Sequence, residues 1–175
     1  MTRQCVSRHY RFLRSQGRFR QYVSARDVRQ QAAGIGNVVA LTTTVGVCIG
    51  VEVRAELSKL SEGRSQEHLE TFPHLCKIRV ISLDVRDAFL SSRSPLCEAT
   101  LVFANNFLFE DEGNLVLAHE LCEMRRVRVV ATIRLFCPRH RAPFTQPFCT
   151  KWTTCAKSKY HAAGNHRYML TFYIK

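Results

Sequence analysis

Residues 101–109 read Leu-Val-Phe-Ala-Asn-Asn-Phe-Leu-Phe, an apolar run that breaks at Asn105 and Asn106 and resumes with Phe107 and Phe109. With Ala99 and Thr100 leading in, the run has the near-continuous apolar character of a strand buried on both faces. The carboxyl end of such a strand is where an open α/β sheet admits ligand. An amide there cannot ionise, carries both donor and acceptor, and costs about 1–3 kcal/mol if left unpaired in a dry site. Asparagines also close strands as turn formers. Two aromatics beside two amides favour instead an apolar slot with polar fixings, with a ligand as the amides' partner.

The same alternation continues on both sides of this stretch. Gly34-Ile-Gly36 opens a helix over Asn37–Thr44, and an apolar strand over Val47–Val53 carries Glu52 at its end. Arg54–Leu69 reads as a helix with Leu57, Leu60 and Leu69 inward, and Ile78–Val85 as a β-branched strand followed by Asp87. After the Ala99–Ala104 strand, Glu110–Met124 forms a helix whose acidic first turn suits the positive end of the helix dipole, and Val127–Ile133 is a further strand. This alternation of strands and helices predicts a parallel sheet with helices on both faces. Beyond it, Phe136–Phe148 reads as loop, and Lys151–Thr154 and His166–Ile174 as an antiparallel strand pair appended to the sheet.

Length, charge and cysteine usage narrow the class. A chain of 175 residues buries one good core, so one domain is expected, and it contains no apolar run of about 18 residues that would span a membrane. Residues 1–30 hold eight arginines against Asp27 alone and no apolar h-region, which excludes an ordinary secretory signal. They are read as a basic N-terminal arm, its order left open, ahead of a core at 31–175; a mitochondrial presequence is the second reading of the arm. Residues 31–124 carry seven basic and thirteen acidic side chains, and residues 125–175 carry eleven basic and none acidic. Cationic ends around a mildly anionic middle point to contact with a polyanion, nucleic acid or nucleosome, through counterion release. The eight cysteines form no framework; Cys48, Cys76, Cys97 and Cys122 lie in or beside apolar segments, as free thiols do in a reducing compartment. Cys137-Pro-Arg-His140 has a ligand-like spacing that no second pair repeats, so no metal is expected.

Glycine turn, acid, acid and amide-aromatic pair follow successive strands. A turn at Gly34 and Gly36 lets backbone approach a ligand, Glu52 stands where an acid binds ribose hydroxyls in nucleotide-type folds, and Asp87 is placed to accept from an adenine amino group. Singly, each has a plainer explanation: a chance glycine pair, a helix-starting acid, a helix cap. Their order fits an adenosine-containing cofactor with chemistry beside the Asn105 strand.

GIGNVV at 34–39, GVEV at 50–53 and LVFANNFLF at 101–109 with the acidic-start helix behind it resemble the disruptor-of-telomeric-silencing (Dot) family. These are the non-SET, S-adenosylmethionine-dependent methyltransferases of a core-domain lysine of histone H3. The resemblance covers residues 30–175. It implies a class I S-adenosylmethionine-dependent methyltransferase (Rossmann-like) α/β fold with the C-terminal antiparallel pair, a nuclear chromatin regulator, S-adenosyl-L-methionine as cofactor, and the nucleosome, histone H3 and DNA, as partner. Carried over by position, it implies Gly34, Gly36 and Asn37 along the cofactor's methionine, Glu52 on the ribose, Asp87 at the adenine edge with Phe89 against the ring, and Asn105 at the amino-acid end. Phe107, Phe109 and Tyr168 would wall the lysine channel, and Trp152 matches a further aromatic position.

The chain also departs from the family. Its first motif, Asp-x-Gly-Ser-Gly-x-Gly, keeps only Gly34-Ile-Gly36, with Gln30-Gln31-Ala32-Ala33 in place of the first four residues and Asp27 three residues early. The family's upstream helical region, with its cofactor-covering loop, is longer than thirty arginine-rich residues supply. The alternative reading is therefore a degenerate, catalytically weak or inactive methyltransferase fold that binds chromatin or RNA. A third is methyl transfer to RNA or a small molecule.

Overall fold

The computed structural model describes residues 21–26, 39–41, 44–136, 147–161 and 167–175; for 21–26, 159–161, 167 and 168 it defines the backbone. In chain order the elements are β1 (Gln21–Arg26), β2 (Val47–Glu52), α1 (Ala55–Glu67), β3 (Ile78–Ser82), β4 (Leu101–Asn105), α2 (Asp111–Glu123), β5 (Val129–Thr132), α3 (Pro147–Lys151), β6 (Thr153–His161) and β7 (Arg167–Ile174). All seven strands form one sheet in the order β3-β2-β1-β4-β5-β7-β6. The first five in that order run parallel, β7 runs antiparallel to β5, and β6 antiparallel to β7. The strand order reverses between β1 and β4, and the crevice at such a reversal is the ligand position in open α/β sheets.

β1 corrects the expectation of a basic arm over residues 1–30. Gln21–Arg26 is the centre of the sheet, paired with β2 on one side and β4 on the other. Its sequence, Gln-Tyr-Val-Ser-Ala-Arg, is barely apolar and sits among arginines, so periodicity does not announce it. It is a strand because two strongly apolar parallel neighbours present free backbone edges that only a chain between them can satisfy.

The apolar runs alternate between two clusters, as a period of two requires. Ile49, Val51, Val102, Ala104, Val130 and Tyr173 pack on one face with Leu117 and Leu121 of α2 and with Phe148 and Trp152. Cys48, Leu101, Phe103, Val129, Ala131, Leu170 and Phe172 pack on the other with Val39 and Ala40, which lie in a helical stretch at 39–41. The helix expected over Asn37–Thr44 is thus present at 39–41, while Thr44 is not helical. The C-terminal strand pair forms as expected but is longer and later than read, and Pro147–Lys151 is helical where loop and strand were expected. Two lysines close the carboxyl end of α2: Lys151 Nζ donates to Cys122 O at 3.3 Å and Lys175 Nζ to Met124 O at 2.6 Å.

α1 turns inward a face that the expected leucines mark only in part, Leu57 and Leu69 being half-buried. Ser58, Ser61 and Ser65 are buried, whereas Leu60 is 49% exposed. Small residues let the helix lie close to the sheet, and the hydroxyls cost little because they bond their own helix: Ser65 Oγ donates to Ser61 O at 2.9 Å and Ser58 Oγ to Arg54 O at 3.4 Å. The cysteines divide as well: Cys48 and Cys122 are buried, Cys97 is partly so, and Cys76 is exposed. Burial pushes the Cys48 thiol up to about 12, so it behaves as a small apolar group.

Candidate functional site

At the carboxyl edge of the sheet, Arg26 of β1 is in register with Glu52 of β2 on one side and Asn105 of β4 on the other. Two strand spacings separate the Glu52 and Asn105 backbones by roughly 10 Å. By alternation from Cys48 and from Leu101 and Phe103, both side chains leave the sheet on the same face. Two residues 53 positions apart in sequence therefore flank one crevice, across the strand-order reversal.

Glu52 is 2% exposed. Its Oε1 accepts from Arg54 N at 3.2 Å and Arg54 Nε at 3.4 Å, while Oε2 is buried with no partner among the described residues. Asn105 is partly buried, and its Oδ1 is likewise buried without a partner among the described residues. Unsatisfied buried acceptors are uncommon in folded proteins and call for an explanation. Here both lie on the ligand edge of the sheet, and both suit a ligand that donates.

The asparagine pair splits into two roles that sequence alone did not separate. Asn106 is fully buried and fully bonded: Nδ2 donates to Asn114 Oδ1 at 2.7 Å and to Arg134 O at 3.0 Å, and Oδ1 accepts from Arg134 N at 2.9 Å. It is a structural pin between the β4 exit, α2 and the β5 exit. Asn105, one position earlier, faces the opposite side of the strand and retains its open acceptor.

On the other face, a cavity of about 280 Å³ lies between the ends of β2 and β3 and the start of α2, lined by Val51, Val53, Asp84, Arg86, Leu108 and Phe109 among others. The acid on its wall is Asp84. It caps the turn at Val85–Asp87, accepting from Arg86 N at 2.8 Å, Arg86 Nε at 3.1 Å and Arg86 Nη2 at 2.7 Å. These hydrogen bonds from Arg86 hold the Asp84 carboxyl below the usual carboxylate range. Asp87, the acid singled out from sequence, is exposed and outside the lining. The signal that could have found Asp84 is its Asx-turn position directly behind the strand, since β3 ends at Ser82 rather than at Val85.

The aromatics also separate. Phe107 and Leu108 are exposed at 49% and 55%, whereas Phe109 packs against the core cluster and lines the cavity, so it does not share a wall with Phe107. Phe89 is 58% exposed and holds a φ of 48°, a left-handed conformation unfavourable for a phenylalanine. Trp152 is 4% exposed and stacks on Phe148 at 5.8 Å, with Lys175 Nζ 4.9 Å from its ring centre. It precedes β6, whose first residue pairs with Ile174 near the amino ends of the parallel strands, so it belongs to the core at the far edge. The backbone of Tyr168 lies on the ligand edge, three residues beyond the Thr171–Thr132 pairing. Gly34, Gly36, Asn37 and the Cys137–His140 pair lie outside the described residues. Among the described residues no three of His, Cys, Asp and Glu gather as metal ligands.

The sequence matches the family model of histone methylation protein DOT1 over residues 30–159. The chain belongs to the DOT1 histone methylation family. A comparison with curated proteins gives no match. Among solved structures, the chain is similar to a mutant of MtNAS in complex with S-adenosylmethionine, with TM-score 0.57 and 11% identity over 98% of this chain and 62% of that one. It is also similar to M. capricolum TrmK in complex with S-adenosylhomocysteine, with TM-score 0.51 and 7% identity over 89% of this chain and 62% of that one. The human methyltransferase 10 domain containing protein gives TM-score 0.54 and 12% identity over 98% of this chain and 83% of that one. The chain spans under two thirds of the length of the first two of these structures. The fold is that of the class I S-adenosylmethionine-dependent methyltransferases. The residues present fit that cofactor: its hydroxyl and ammonium groups are donors, and the crevice offers two acceptor oxygens without a partner among the described residues.

Proposed function

We propose that this protein transfers a methyl group to a lysine amine of nucleosomal histone H3 in the nucleus. Family membership supports the class, and the two open acceptors of Glu52 and Asn105 carry the site assignment. Glu52 Oε2 takes the ribose hydroxyls, Asn105 Oδ1 the amino-acid end, and the Val53–Leu108–Phe109 cavity the adenine, with Asp84 accepting from its amino group. Gly34, Gly36 and Asn37 complete the methionine side, while Asp87 and Phe89 do not line the adenine cavity.

The bound cofactor supplies a methyl group on a sulfonium. The chain's own contribution is placement and drying. Phe107, with Tyr168 approaching from the β7 side, excludes water from the acceptor amine and favours its uncharged form, so the amine attacks in line without a protein nucleophile. Beyond Leu108 the exposed acids Glu110 and Glu112 face Arg86, and Asp111 pairs with Arg134, so this rim is of mixed charge. The basic ends of the chain supply the DNA contact, which weakens as salt rises.

Incubation of the purified chain with intact nucleosomes, free histone H3 or RNA and labelled cofactor tests the reading, with Asn105→Ala alongside. Label on H3 in nucleosomes, lost in the variant, is the expected result. Label on RNA alone overturns the lysine acceptor. The replacement of the family's Asp-x-Gly-Ser by Gln30–Ala33 favours a second reading, a chromatin-binding protein without turnover; calorimetry that shows no heat with S-adenosylmethionine would select it.

A further inference from the structure

The loop between β4 and α2 has almost no backbone ladder of its own. Phe109 N donates to Asn106 O at 3.3 Å, and the remaining fastening comes from side chains. Arg134, just past the end of β5, reaches this loop at both ends. Its backbone exchanges two hydrogen bonds with the Asn106 amide, N to Oδ1 at 2.9 Å and Nδ2 to O at 3.0 Å. Its guanidinium then spans to the loop's exit, Nη1 donating to Phe109 O at 3.0 Å and Nη2 to Asp111 Oδ1 at 2.6 Å. Asn114 closes the circuit from within α2, donating to Phe109 O and Glu110 O at 3.2 Å each.

We infer that Arg134 is a positioning residue for the methyl-transfer site, a strap that fixes the Asn105–Phe109 loop and thereby aims Asn105 and Phe107. Arg134 is not among the residues lining the 280 Å³ cavity, and it is 43% exposed, so its ion pair with Asp111 adds little to global stability. What it determines is the path of five residues, one carrying the open acceptor and another the exposed aromatic. Arginine suits this task because its planar fork serves a carbonyl and a carboxylate together, which a lysine ammonium does in turn but not at once.

The test compares Arg134→Ala and Arg134→Lys with Lys151→Ala. Lys151 is a matched control at the opposite edge of the sheet: it is 47% exposed, pairs with Glu123 at 3.2 Å and donates to the Cys122 carbonyl at 3.3 Å. S-adenosylmethionine binding is read by calorimetry on the full chain and folding by thermal melt. Arg134→Ala is expected to weaken cofactor binding about tenfold, the weight of one misplaced hydrogen bond, with a melting shift no larger than that of Lys151→Ala. Arg134→Lys should recover part of the affinity, and Lys151→Ala should bind as the unsubstituted chain does. Unchanged binding by Arg134→Ala overturns the inference, as does equal weakening by Lys151→Ala. If Arg134→Ala melts too low to assay, Arg134→Lys decides alone: native-like melting with reduced affinity supports the strap, and full affinity refutes it. No binding by the unsubstituted chain overturns the cofactor assignment and the strap together.

Discussion

Replacing Glu52 by glutamine should move stability and cofactor affinity in opposite directions. The carboxylate is 2% exposed, one oxygen held by Arg54 and the other without a partner. An unpaired buried acceptor costs on the order of 1–3 kcal/mol, more when charged, whereas the ion pair lost with Arg54 Nε, at 3.4 Å and partly exposed, is worth less than about 1 kcal/mol. Glu52→Gln keeps the shape and removes the charge, so the free protein should gain about 1 kcal/mol, a rise of roughly 2–4 °C in Tm for a chain of this size. In the complex, two charge-assisted bonds from ribose hydroxyls become neutral or mispaired at about 1.5 kcal/mol each, so binding should weaken roughly a hundredfold. Calorimetry with S-adenosylmethionine and a melt without it measure the two numbers. A lower Tm with affinity unchanged to within about twofold would make Glu52 a partner for Arg54 and nothing more, and would refute the reasoning.

Asn105→Ala should leave the urea midpoint almost unmoved while removing cofactor binding; Asn106→Ala, which breaks three hydrogen bonds and strands the Asn114 and Arg134 groups, should cost about 2–4 kcal/mol in the same titration. Phe89→Asn should hold or raise stability by up to about 1 kcal/mol, because asparagine tolerates the positive φ and the ring has little packing to lose; an appreciable drop would show that the ring is there for packing rather than for a ligand. Asp84 has a depressed folded pKa, so its contribution to stability is present above the unfolded carboxylate value and is lost as pH falls through the lower folded one. Asp84→Asn should therefore flatten the stability profile in that acidic window and leave its shape near neutrality unchanged, as urea titrations across pH will read.

Much of this fold is legible along the chain because its signals are local. Leu101–Ala104 and Val47–Val51 are apolar on every residue, which only a strand covered on both faces requires, and the acids at the start of α2 mark a helix N-terminus. Glu52 and Asn105 stand out for the same reason, as polar residues at the abrupt ends of such runs. The misreadings share a cause as well. β1 is central through the pairing needs of β2 and β4 rather than through its own side chains, and α1 buries serines because closeness to the sheet, not hydrophobic area, is what that position demands.

What the sequence determined by itself was the alternation of strand and helix from β2 to β5 and the family, since these follow from periodicity, from where an apolar run stops and from motif. Only the tertiary structure decided which of two adjacent asparagines faces the crevice and which is pinned. It also decided that Asp84 rather than Asp87 lines the cavity, that Trp152 belongs to the far edge, and that Arg134 reaches back to the loop between β4 and α2. Each of those depends on which groups meet across residues distant in sequence, and hydrogen-bond satisfaction between such residues has no one-dimensional signature.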